Sequence, residues 1–159
     1  MLSYENEEHE FHDNLIRGIF FASEMDSFDS ELHFDIDHII NWVKCSPNEN
    51  ESLFLMSRGL LKFHNVSDLN MNISWGKTEY SEYSGYEGGI YIVDINKEKV
   101  ISSLGDEGAY YKWEIKTNNI DCIINFGASS FSLELLGKPL TVNRQYLLNI
   151  ERNTHIKLE

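Results

Sequence analysis

His33, Asp35 and Asp37, spaced two apart, are the residues of this sequence that come nearest to a ligand set. Side chains at i, i+2 and i+4 of an extended strand share one face, with successive Cα atoms about 6–7 Å apart. Carboxylates suit hard cations, and a neighbouring imidazole suits a transition metal. A metal site at His33, Asp35 and Asp37 is therefore one expectation. The other is the wet face of a half-buried strand, where charged residues belong. The segment is not an EF-hand loop, because it lacks that loop's central glycine and closing glutamate. His9 and His12, three residues apart with Asp13 beside them, form a weaker chelating pattern, since no helical periodicity surrounds them.

A second candidate is the loop that carries Glu79, Tyr80, Glu82, Tyr83, Tyr86 and Glu87 among serines and glycines. Tyrosine offers a large contact area at low entropic cost, while serine and glycine let the backbone adapt. The three glutamates direct such a surface toward a basic partner. The competing reading is a solvated hairpin connection whose tyrosines fold back on the sheet.

Nucleophilic chemistry finds little in the motifs. No G-x-S-x-G occurs, and Gly127-Ala128-Ser129-Ser130-Phe131 only echoes it between two strands. Gly85 to Gly89 lacks the lysine and hydroxyl of a phosphate-binding loop. Cys122 lies in an apolar run and reads as a packed thiol. The reading assigns no catalytic residue and no cofactor.

The elements that must position these residues follow a period of two. Leu15 to Ala22 is apolar and reads as a strand buried on both faces. From Glu31 to Lys44, Leu32, Phe34, Ile36, Ile40 and Trp42 alternate with His33, Asp35, Asp37 and Asn41, with a bulge expected near His38. Leu53 to Val66 reads as a strand with Gly59 marking a bend or bulge. Further strands are expected over Leu69 to Trp75, Ile90 to Ile95, Tyr111 to Ile115, Ile120 to Ala128 and Phe131 to Leu135. Ser67-Asp68, Asn96 to Lys99 and Asn118-Asn119 read as turns. Leu140 to Arg152 fits either a strand or a short amphipathic helix. Trp42, Trp75 and Trp113 all fall at core positions of the alternation. The fold class is mainly β, an antiparallel sandwich or partly open barrel with at most one short helix near the C-terminus. Residues 1–159 are expected to form a single domain, with 1–13 loosely ordered.

Charge is the most distinctive global property. The 159 residues carry 13 basic and 26 acidic side chains, for a formal net charge of −13. Residues 1–51 hold thirteen Asp or Glu against Arg17 and Lys44, so nearly all the imbalance lies in the first third. Such a field repels nucleic-acid phosphates and anionic lipid, and attracts basic proteins or cations. Two isolated cysteines, and the lack of any leader pattern or long apolar run, lead to an expectation of a cytoplasmic protein that does not enter membranes.

His12 to Ile16, Leu32 to Ile40, Leu61 to Leu69, Tyr111 to Ile115 and Phe126 to Phe131 resemble segments of small stand-alone bacterial proteins of unassigned function. The opening His12-Asp13 ahead of an apolar strand is similar to some small acidic immunity proteins of toxin systems. That resemblance implies no particular functional residue. The combined expectation is a non-enzymatic acidic binding module, immunity-like, that contacts a basic protein. A metal-binding domain or metal-dependent enzyme and a small-ligand carrier are the alternatives.

Overall fold

The computed structural model describes residues 11–23, 29–43, 51–73, 75, 89–100 and 108–153. They form strands β1 (Leu15–Ser23), β2 (Ser30–Val43), β3 (Leu53–His64), β4 (Ser67–Asn72), β5 (Ile90–Lys99), β6 (Tyr111–Thr117), β7 (Ile123–Ala128), β8 (Ser130–Leu135) and β9 (Leu140–Val142). A single turn of helix, α1 (Asn149–Arg152), follows. The strands make one mainly antiparallel sheet that does not close, in the order β4-β7-β6-β5-β1-β2-β3-β8, with β9 paired to the far end of β3.

The sheet has a weak waist. β1 and β5 share only the pairs Leu15↔Tyr91 and Ile16↔Ile90, whereas β2 and β3 stay in register from Glu31↔His64 to Val43↔Leu53. At that waist the sheet folds over, so that β1, β2, β3 and β8 face β5, β6, β7 and β4. Leu32, Phe34, Ile36, Leu61 and Phe63 from one half meet Ile92, Trp113, Ile115, Ile124 and Phe126 from the other. Phe63 is at the centre, with ring centroids 4.7 Å from Phe126, 5.1 Å from Trp113 and 6.0 Å from Phe34. Burying one such side chain contributes roughly 1.5–3 kcal/mol, and each favourable ring pair adds about 0.5–1.5 kcal/mol.

Several sequence expectations need correction. β1 is not buried on both faces: Phe20 and Phe21 are exposed, because β1 is covered by core only near the waist. The bulge expected near His38 is present, between Ile39 and Asn41, but its effect on the alternation was not foreseen. It breaks the alternation, so Ile40 and Trp42 leave the core face and stand exposed. Trp75 is exposed too, since β4 ends at Asn72; of the three tryptophans, Trp113 alone is core.

Gly59 marks no bulge. It sits in regular register opposite Ile36 and Leu135, where a Cβ would meet Leu133 at 3.1 Å and His38 at 3.3 Å. Close approach, not bending, calls for glycine there. Asn96 to Lys99 continue β5 rather than turning: Lys97 pairs with Trp113, and its ammonium lies 4.9 Å from the Tyr111 ring centroid. That cation–π contact anchors a polar stretch to the sheet. The β6–β7 connection spans Asn118 to Cys122 and is closed by Thr117 Oγ1, which donates to carbonyls of Asn119 or Cys122, not by positive-φ asparagines. Among the described non-glycine residues positive φ occurs instead at Asp13, Asn65 and Asp68, and Asp68 lies within the irregular start of β4.

Candidate functional site

The face of β2 that carries His33, Asp35 and Asp37 points away from the two-layer core, and at Asp35 and Asp37 it too is covered. The chain after β9 crosses it, bringing Leu147 and α1 onto the sheet. Leu147 packs with Ile39, Phe54, Met56, Leu140 and Val142 in a second, smaller apolar cluster. Residues 140–152, ambiguous between strand and helix in the sequence, are therefore both: β9, then a strap, then α1.

Asp37 is 0% exposed and accepts from three residues: Arg17 Nε at 3.0 Å, the Leu147 amide at 2.9 Å, and Arg152 Nη1, with Arg17 Nη2 also 2.9 Å away as an ion pair. Arg17 also donates to the Leu147 carbonyl, so one guanidinium clamps both the carboxylate and the strap. Asp35 takes a two-pronged bond from Arg58, Nε to Oδ1 at 3.2 Å and Nη2 to Oδ2 at 2.9 Å, and a third from Arg152 Nη2 at 2.6 Å. Arg152 thus bridges the two aspartates from α1. Arg144 and Glu151 pair across the strap itself, while Glu151 accepts from the Leu148 amide at 2.7 Å. The Arg144 guanidinium is the main reason the Glu151 carboxyl titrates below its usual range; burial opposes it, and the Leu148 amide assists. Isolated buried carboxylates would be costly, and planar guanidinium forks match their geometry.

These contacts decide what Asp35 and Asp37 do. Their oxygens are occupied by guanidinium donors, and among the described residues no group of three or more His, Cys, Asp or Glu is placed to hold a metal ion. His33 does not join the aspartates. Its Nε2 contacts Glu31 Oε2 at 2.6 Å, at the other end of the strand face. His9 lies outside the described residues; His12 is exposed, with Nδ1 2.8 Å from the Val93 carbonyl. The tyrosine loop with Glu79, Tyr80, Glu82, Tyr83, Tyr86 and Glu87 also lies outside them.

Glu31 is the hub of a second polar group on the same face. Its Oε1 lies 3.0 Å from His64 Nδ1, and His64 Nε2 lies 2.9 Å from Ser132 Oγ. Beside them Lys62 donates to Glu134 at 2.8 Å. The His33 hydrogen bond is the leading cause holding the Glu31 carboxyl below its usual range; partial burial opposes it, and His64 adds to the lowering. Sequence reasoning passed over Ser132 and did not link His64 to Glu31, because the contact depends on the register of three strands. The visible signal was alternation, which places Lys62 and His64 together on one face of β3.

A cleft of about 300 Å³ opens at the rim between the end of the β1–β2 hairpin and β4. Phe21, Leu32, Val66 and Leu69 line it, with Asp68 beside them. No helix among the described residues is long and apolar enough to cross a membrane. No protein-family model matches this chain, and no curated protein sequence matches it.

Proposed function

We propose that this protein is an acidic binding module that contacts a basic protein partner. The observation that carries the reading is where the positive charge goes. The sequence has four arginines, Arg17, Arg58, Arg144 and Arg152, and each is paired with Asp35, Asp37 or Glu151, within the C-terminal strap or beneath it. Nine lysines then remain against twenty-three carboxylates. A field of that sign accelerates encounter with a basic surface and disfavours nucleic acid and anionic lipid. The acidic first third and the Glu79–Glu87 loop supply the contact, with the loop tyrosines as anchors. In its most specific form the reading is immunity-like: neutralisation of a basic toxin in a bacterial cytoplasm.

Affinity capture from the native host at low and at moderate salt tests it. The expected result is a lysine- and arginine-rich partner whose recovery falls as salt rises and falls again when Glu79, Glu82 and Glu87 are all changed to lysine. Recovery of a partner indifferent to that charge reversal rejects the reading.

A further inference from the structure

The hydrogen bonds around His64 form an ordered chain. Glu31 and His64 stand directly opposite each other on β2 and β3, and Ser132 reaches His64 diagonally from β8, where it is paired with Lys62. A carboxylate only accepts, so the His64 Nδ1 that faces Glu31 Oε1 at 3.0 Å carries the proton. The neutral ring then has a bare Nε2, and the Ser132 hydroxyl, 2.9 Å away, donates to it. A hydroxyl bonded to a bare imidazole nitrogen, with a carboxylate fixing the tautomer, is the arrangement that activates a serine, whatever fold or chain order supplies it. Glu31 is itself fixed from its other oxygen by His33 at 2.6 Å.

From this geometry we infer that Ser132 is an activated nucleophile for acyl transfer, with His64 as its general base and Glu31 as the residue that positions His64. The substrate class is a carboxylic ester that is neutral or cationic, because a chain of net charge −13 disfavours anionic esters. Ser132 Oγ bonds to the ester carbonyl carbon while its proton passes to His64 Nε2. The bond to the leaving alcohol then breaks, and His64 returns that proton to the departing oxygen. Water reverses the sequence: its proton goes to Nε2, its oxygen to the acyl carbon, and Ser132 departs as the free hydroxyl. The site lies on the outer face of β2, β3 and β8. It stands apart from the binding reading, so the loss of either leaves the other intact.

A fluorophosphonate probe tests the inference on the full-length protein. Attack by Ser132 forms a P–O bond and expels fluoride, and peptide mass mapping locates the adduct. The expected result is labelling at Ser132 about 100-fold faster than in heat-unfolded protein, lost in Ser132→Ala and reduced about 100-fold in His64→Ala. Ser130→Ala labels like the parent, and Glu31→Gln labels slowly with a displaced pH profile, a readout that a merely structural glutamate would not move. Folding of each variant is checked by circular dichroism. No labelling of the parent protein, or equal labelling of Ser132→Ala, overturns the inference.

Discussion

Phe34 and Asp35 are neighbours in the chain, and both are buried, yet they belong to interiors held by different forces. Phe34 enters the layer between the two halves of the sheet, where aromatic rings and aliphatic side chains exclude water. Asp35 enters the layer beneath the C-terminal strap, where three guanidiniums surround two carboxylates. The first interior tolerates any apolar group of suitable volume. The second is an all-or-none arrangement, since removing one charge leaves the others buried and unpaired. Burial on both faces of a strand does not require apolar residues on both faces. It requires that each polar group find its complement.

Phe63→Ala produces the largest expected effect. It removes the ring shared by Phe34, Trp113, Phe126 and Phe131 and costs about 4 kcal/mol of global stability, measured by urea unfolding. Amide exchange then rises in all strands together. Asp37→Ala costs about 3 kcal/mol, because Arg17 and Arg152 lose their shared acceptor. Exchange rises first at Leu147 and in α1, while β6 and β7 keep their protection. Uniform loss of protection in both variants breaks the distinction between the two interiors.

Glu151→Gln is the smallest effect, about 1 kcal/mol at neutral pH, because it removes a charge-assisted contact with Arg144 near the edge of the strap. The folded-state carboxyl titrates below the ordinary glutamate value of 4.5. A depressed carboxyl contributes stability that is fully present above the unfolded value and is lost as pH falls through the folded one. The stability difference between parent and Glu151→Gln should therefore be constant near neutrality and shrink as pH falls below 4.5. Melting temperatures taken across that range check the sign; a difference that grows on acidification rejects the pairing.

Much of the architecture was legible because strict alternation over Leu32 to Ile36 and Tyr111 to Ile115 leaves one face for each side chain. Alternation also misled where the local pattern continued but the sheet did not. Ile40 and Trp42 keep the period of two, but a bulge turns them outward; Ile73 and Trp75 keep it beyond the end of β4. The site was half legible. His33, Asp35 and Asp37 stand out by type and spacing, yet the partners of the two aspartates come from positions 17, 58, 147 and 152, which no local window joins.

By itself the sequence determined the antiparallel β class, the apolar core positions on the central strands and the acidic balance, because periodicity and charge are properties of the chain read in order. Tertiary structure decided that Asp35 and Asp37 are held by arginines, that the segment after β9 returns as a strap, and that Glu31, His64 and Ser132 line up. Those outcomes depend on register and on contacts between distant residues, and a carboxylate's chemistry is set by whichever charge arrives beside it.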